Sequence, residues 1–363
     1  MVTDRGNAGE RGRSSGGTAA IETDGLELTY ADGTEAVSGV SIRIPNGEFF
    51  GFLGPNGAGK TTTIKVLATL LAPTAGTVRV NGFDVETDQQ AIRESIGFMA
   101  QETGVITEMT ARENLRFACD AYGVPRDERE ERIEDLLDLV DLADVADKRA
   151  EGFSGGMQKR LDAAMALVHR PPLIFLDEPT TGLDPKARNR LWEYFEAIND
   201  RGTTIFLTTQ YLEEADQLCD RLAVIRDGEI VVDGSPDELK REVGGEILDI
   251  ELEDGDDAYE RAADIAREAD LFSGDPSVEI TDDGIAVTAR DTRQHGPDLL
   301  VALQEAEITV TGFNIHSPTL DDVFLAITEE TTEAEDTGEA STGMASTGIE
   351  PTASQPTAGG GDR

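Results

Sequence analysis

Gly54-Pro55-Asn56-Gly57-Ala58-Gly59-Lys60-Thr61-Thr62 follows directly on the apolar run Phe49–Leu53 and leads into 62–71, whose pattern predicts a helix. Strand, glycine-rich turn and helix, in that order, are what a phosphate-binding loop of the form G-x-x-x-x-G-K-[ST] requires. The glycines let successive backbone N–H groups close around phosphate oxygens at a helix N-terminus, where the dipole also favours an anion. Lys60 is placed to reach β- and γ-phosphates, and Thr61 carries a hydroxyl able to coordinate Mg²⁺. A plain structural turn needs neither.

Downstream, Leu173-Ile174-Phe175-Leu176 is a short apolar run that ends in Asp177-Glu178. Carboxylates at the tip of a buried strand are costly unless they meet a cation or a polar reactant. Asp177 suits Mg²⁺, and Glu178, one residue further out, suits polarising an attacking water. Further runs at Leu26–Tyr30, Val37–Ile44, Thr204–Leu207 and Leu222–Ile225 alternate with helical patterns, which predicts an α/β sheet. Between Gln101 and Ala150 the period becomes helical, with Ile133, Leu136, Leu137, Val140 and Leu142 on one face.

The chain has 363 residues, 73 Asp+Glu against 31 Lys+Arg and a net charge of −42, a length that suggests two or three domains. A field of that sign repels phosphate backbones, so no nucleic-acid partner is expected. The bases are 25 Arg and 6 Lys, and the acids are spread along the chain. That composition resembles proteins of salt-loving microbes, since at about 1 M salt the screening length falls to ~3 Å and self-repulsion fades. Cys119 and Cys219 are too few for a disulfide scaffold, which points to a reducing compartment. No apolar stretch reaches the length of a membrane span, and the first 20 residues lack the apolar core of a secretory signal. Residues 1–20 and the acidic 330–363 read as disordered tails.

After Gly244-Gly245 the pattern predicts a separate unit over 244–329. It comprises a strand at Ile247–Leu252, a helix at Ala258–Arg267, a hairpin around Asp283-Gly284, a helix at Leu299–Gln304, a strand at Ile308–Ile315 and a closing helix at Leu320–Ile327. With the closing helix set aside, this is close to the βαββαβ order of ferredoxin-like domains. His295 and His316 are isolated there and read as surface or packing residues.

Ser154-Gly155-Gly156-Met157-Gln158, between the two phosphate-site elements, resembles the signature motif of ABC-type ATPases. The remaining pieces fall in that family's order. Tyr30 precedes the phosphate loop, where the family stacks an aromatic on adenine; Gln101 resembles the Q-loop glutamine; Thr180-Thr181-Gly182-Leu183-Asp184-Pro185 resembles the D-loop. The resemblance covers roughly 21–243. It implies a P-loop NTPase ABC-type nucleotide-binding domain, α/β with an antiparallel β edge and an inserted helical subdomain over about 101–165, followed by the small α+β domain. It also implies ATP and Mg²⁺ as ligands, with Gln101 joining Thr61 and Asp177 at the metal. Two cassettes would pair head to tail, as a homodimer or with a homologous subunit. Ser154-Gly155-Gly156 of one would then close on the γ-phosphate of the other, and Asp184 would cross the interface.

Where most of the family has a switch histidine, this chain has Gln210. An amide can donate to a γ-phosphate or hold a water, but it carries no proton. Weight therefore shifts to Glu178, and hydrolysis is expected to be slow. Gln210, the 153–161 signature and Pro318-Thr319-Leu320-Asp321-Asp322-Val323-Phe324 resemble daunorubicin-resistance-type exporter ATPases. That subgroup implies an ATPase subunit on the cytoplasmic face of the cell membrane, docked through residues such as 103–112 on a separate multi-span permease. It implies a drug-like or lipid cargo, although the cassette does not itself read the substrate. A soluble ATPase acting on ribosomes or DNA is the alternative. Those proteins usually carry two cassettes or a long coiled coil, whereas Gly54 and Ser154 are separated by only 100 positions, 154 − 54. A kinase or GTPase would lack the signature segment.

Overall fold

Alternating residues of β1 (Ile21–Thr29) turn inward, first Ile21 and Thr23, then Leu26 and Leu28. Gly25, at φ 60°, supplies the one-residue shift between the two pairs. The computed structural model describes residues 19–242, 245–253, 257–268, 271–274 and 276–324. The expected terminal tails lie almost wholly outside that range. Val37–Ile44, expected as one strand, is two: β2 (Glu35–Val40) and β3 (Arg43–Ile44), both antiparallel to β1. Thr23 Oγ1 bridges the break, donating to Val40 O and accepting from Ile42 N, each at 2.9 Å. While β4 (Phe49–Leu53) leaves for a second sheet, β5 (Ala75–Val80) and β6 (Phe83–Asp84) complete the first, in the order β2-β1-β5-β6.

The second sheet takes β7 (Ile96–Met99), β8 (Leu173–Asp177), β9 (Thr204–Thr209), β10 (Arg221–Arg226) and β11 (Glu229–Gly234), ordered β11-β10-β4-β9-β8-β7. All are parallel except β11 on its antiparallel edge. Every residue of β4, β8 and β9 is buried, which is why these strands read as continuous apolar runs. Phe50, Phe52 and Phe175 pack on Phe206 with ring centroids 5.5–5.7 Å apart. The helix after the phosphate loop, α1 (Lys60–Leu67), stops short of the expected Leu71 because Thr69 takes φ 60° and Leu70 N turns back to Lys65 O.

After α2 (Gln89–Ser95) and β7 come three helices, α3 (Ala111–Ala121), α4 (Arg129–Leu139) and α5 (Gly155–Ala166). Thr110 and Glu113 form a reciprocal capping box at the start of α3. Ile133, Leu136, Leu137, Val140 and Leu142 are all buried, as their spacing predicts. The helices α6 (Pro185–Asn199) and α7 (Leu212–Leu218) flank β9.

Beyond α8 (Pro236–Glu242) the chain forms β12 (Glu246–Leu252), α9 (Ala258–Glu268), β13 (Ser277–Thr281), β14 (Gly284–Ala289), α10 (Thr292–Glu305) and β15 (Val310–His316). Their antiparallel order, β13-β14-β12-β15, is the ferredoxin-like one. Leu248, Ile250, Val287 and Ile285 face Ala262, Ala266, Leu299 and Leu303 in its core. Helix α10 begins seven residues before the expected Leu299, where buried Thr292 donates to Glu246 O and Ala289 O. His295 lies 3.3 Å from Asp298, and His316 3.0 Å from Asp249. The last expected helix is described only to Phe324.

Candidate active site at the ends of the parallel strands

The phosphate loop leaves the carboxyl end of β4 and wedges between β10 and β2. A Cβ on Gly54 would lie 2.3 Å from Ile225 O. Gly59, the N-cap of α1, has φ 108°, and a Cβ there would stand 2.4 Å from Ala36 O. Only glycine fits either position. Pro55, Asn56 and Gly57 form the exposed crest, and Ala58 is buried beneath it. Lys60 opens α1 and is 4% exposed. Its Nζ donates to Gly54 O at 2.6 Å and Pro55 O at 3.1 Å, and lies 3.5 Å from Glu178 Oε1.

Strand β8 delivers the two carboxylates to the same spot. Asp177 Oδ1 accepts from Thr208 Oγ1 at 2.6 Å and from Thr61 Oγ1 at 3.4 Å. Glu178 departs from the strand at φ 47°, with its N–H on Thr208 O at 3.0 Å. Its Oε2 accepts from Gln101 Nε2 at 3.0 Å, so Gln101, Glu178 and Lys60 form a chain of polar contacts. Both buried charges are thus partnered, which a buried carboxylate and ammonium require. Tyr30 sits beside the loop, 39% exposed, with its hydroxyl 3.0 Å from Thr62 Oγ1. Gly54 to Thr62, Tyr30, Gln101, Asp177 and Glu178 therefore converge.

Ser154, Gly155, Gly156, Asp184 and Gln210 do not join that cluster through any hydrogen bond or ion pair among the described residues. Ser154 is the N-cap of α5, accepting from Met157 N at 3.3 Å, and is exposed together with Gly155. Gly156 faces α6, where a Cβ would meet Ala187 Cβ at 2.9 Å. Asp184 is the exposed N-cap of α6, accepting from Ala187 N at 3.0 Å. Gln210 is exposed in the turn between β9 and α7.

Three residues escaped the sequence reading. Thr208 holds both strand-end acids, through its hydroxyl to Asp177 and its carbonyl to the Glu178 N–H. Lys159 Nζ donates to Gln101 O at 2.6 Å, and Asp162 Oδ1 accepts from Gly104 N at 3.2 Å, so α5 fastens the segment after β7. Burial pushes the Lys159 ammonium down and the Asp162 carboxyl up to about 6. Their signal was present in the chain: two charges beside Leu161, Ala163 and Ala164 on a helix that must be buried.

The cluster offers a cation and backbone N–H groups for phosphate, with hard oxygens from Thr61 and Asp177 within 3.4 Å of each other. Among the described residues no group of three or more His, Cys, Asp or Glu could hold a metal. A single carboxylate and hydroxyl instead fit a Mg²⁺ that takes its remaining ligands from phosphate and water.

Two family models match. One, described as ABC transporter, covers residues 37–181; the other, described as the C-terminal domain of DrrA1-3-like ATP-binding proteins, covers 234–328. The chain is 41% identical over 324 residues to the daunorubicin/doxorubicin resistance ATP-binding protein DrrA of Streptomyces peucetius, spanning 89% of this chain and 96% of that one. It is 36% identical to the doxorubicin resistance ATP-binding protein DrrA of Mycobacterium tuberculosis, over 87% of this chain and 95% of the other. Among solved structures, an ATP-binding subunit of an ABC transporter superposes with a TM-score of 0.57 at 30% identity, covering 62% of this chain and 94% of its own.

Proposed function

Because the chain belongs to the ABC transporter ATP-binding proteins of the daunorubicin/doxorubicin resistance type, a family that hydrolyses ATP to power transport, we propose that it drives an exporter through the cluster around Lys60. The observation that carries this reading is that Lys60 and Gln101 meet at Glu178 while Thr61, the next residue of the loop, meets Asp177. Lys60 exchanges its carbonyl and carboxylate partners for β- and γ-phosphate oxygens, and the backbone of 54–62 closes around them. Tyr30 stacks on the adenine. Glu178, released from Lys60, accepts the proton of the attacking water. Gln210 orients that water or donates to the γ-phosphate. Thr61, Asp177 and Gln101 hold Mg²⁺, which when bound neutralises charge on the phosphate oxygens. Lys159 and Thr208 position Gln101 and the two acids.

A second chain completes the site, either an identical copy or a homologous subunit. The exposure of Ser154 and Gly155 at the N-terminus of α5 supports this, since their N–H groups and dipole suit an anion that their own chain does not present. Asp184, exposed at the start of α6, crosses to the partner. A groove beside α3, lined by Glu108, Met109, Arg116, Phe117 and Arg149 with Phe117 51% exposed, supports docking on a separate multi-span permease. Among the described residues no helix is long and apolar enough to cross a membrane. The protein then sits peripherally on the cytoplasmic face and moves a drug-like or lipid cargo. Its excess of acids, 73 against 31 bases, supports adaptation to molar salt.

A tagged pull-down from detergent-solubilised native membranes in molar KCl tests the reading. A multi-span protein recovered in stoichiometric amount with the ATPase is expected. Recovery only in the soluble fraction, with ribosomal or DNA-repair proteins, overturns the transport role and leaves the hydrolytic chemistry standing.

A further inference from the structure

At the opposite end of the sheet from Lys60, three arginines surround one cavity of about 470 Å³. Arg132 projects from α4, Arg170 follows α5, and Arg201 follows α6. Asp135 is the one carboxylate in the lining. In a chain with 31 bases and 73 acids, such a concentration of unpaired positive charge is against the composition.

Capping of helix ends accounts for Arg132 but not for the other two. Arg132 donates to Leu167 O at 2.5 Å and Val168 O at 3.2 Å, two carbonyls just past the end of α5. The side chains of Arg170 and Arg201 make no hydrogen bond or ion pair with any described residue, although their backbone N–H groups donate to Leu167 O and Ile198 O, and both residues are exposed. Arg170 is also held at φ 55°, a strained conformation for a side-chain-bearing residue. The arginines repel one another: Arg170 and Arg201 add to burial in pushing Arg132 down to about 10. Folding alone has no use for three like charges gathered in this way, whereas an anion turns the repulsion into attraction.

The lining narrows the anion. Three guanidiniums against Asp135 leave a local charge of about +2, matching the charge near −2 of a phosphate monoester at neutral pH. Guanidinium forks bind such oxygens in pairs. Between the guanidiniums, Leu136, Leu139, Ile198, Pro171 and Pro172 add apolar surface to a mixed wall, which suits a small organic body carrying the charge. We propose that this cavity is a binding site for a small organic phosphate monoester, separate from the nucleotide site. It lies at the far ends of α5 and α6, the helices whose N-termini carry Ser154 and Asp184, and of β8, which carries Asp177. Its occupant is therefore one strand length from the phosphate loop.

The phosphate comes either from a free metabolite or from a lipid headgroup, and two arms separate these. The full chain, saturated with ADP to fill the nucleotide site, is titrated calorimetrically with glycerol 3-phosphate in salt that keeps it folded. In parallel it is sedimented with phosphatidylcholine vesicles with and without phosphatidic acid. One saturable site is expected, weakened at least about tenfold in R170Q/R201Q, with ADP affinity unchanged. D135N, which removes the opposing carboxylate, is expected to strengthen binding by about threefold, a readout that survives if the double variant folds poorly. Binding of glycerol 3-phosphate identifies a free ligand. Binding of phosphatidic acid vesicles alone, lost in R170Q/R201Q, identifies a headgroup. Absence of both, or binding indifferent to all three substitutions, overturns the proposal.

Discussion

Replacing Glu178 with glutamine separates nucleotide binding from hydrolysis. In the parent, Glu178 Oε1 lies 3.5 Å from Lys60 Nζ, and both side chains are under 10% exposed. At an effective dielectric of about 20 their gross attraction is roughly 5 kcal/mol, much of it offset by the desolvation of both groups. An incoming phosphate must replace this contact and tolerate a carboxylate beside it. Glutamine removes both obstacles and keeps an oxygen for the Gln101 amide, so ATP affinity should be retained or raised by up to about tenfold. The chemical step loses its base, which costs about 10²–10⁴-fold in rate, or roughly 3–5 kcal/mol of barrier. Single-turnover phosphate release, read together with mass by light scattering in molar KCl, measures both effects. The expected result is a two-chain, ATP-bound species that persists. Hydrolysis at the parent rate would remove Glu178 from the role of base. Loss of ATP affinity would refute the account of Lys60.

Gln210→His should retain or raise turnover, since imidazole can donate where the exposed amide does and can also carry a proton; a dead enzyme in the same phosphate-release assay would give Gln210 a geometric role that imidazole cannot fill. Gly59→Ala places a Cβ 2.4 Å from Ala36 O at φ 108°, so it should destabilise the fold by roughly 2–5 kcal/mol and abolish nucleotide binding, as denaturant melts and ADP titration would report. Burial raises the Glu48 carboxyl from 4.5 to about 7 despite Arg221 at 3.2 Å. The folded chain then binds more proton than the unfolded one between those values, and this group's contribution to stability declines as pH rises through that window, by at most about 3 kcal/mol above pH 7. Glu48→Gln should flatten that part of the pH–stability profile in urea melts; an unchanged slope would mean that Glu48 is ionised throughout. The melting temperature of the parent should climb steadily between 0.1 and 3 M KCl if repulsion among its acids limits stability, and a flat response would argue against adaptation to salt.

The phosphate loop was legible in the chain because its requirements are local. A buried strand, glycines where a Cβ would strike Ile225 O or Ala36 O, and the Lys-Thr pair at a helix start all lie between Phe49 and Thr61. The parallel strands were legible for a related reason: burial on both faces leaves continuous apolar runs such as Leu173–Leu176. The βαββαβ unit also followed from its order of periods, with the hairpin at Asp283-Gly284 fixing the register of β13 against β14. Local pattern failed where a long-range contact intervened. Thr23, about twenty residues away, cut Val37–Ile44 in two by taking over the bonds of Val40 and Ile42. Tertiary structure alone brought Thr208 to Asp177 across neighbouring strands and laid Lys159 against the Gln101 carbonyl, 58 residues apart in sequence. It alone gathered Arg132, Arg170 and Arg201 around one cavity, since nothing in their sequence spacing relates them. Turns and buried runs are decided by neighbours along the chain, whereas a side chain's partner is decided by which strand lies beside its own, and sheet order is a property of the whole fold.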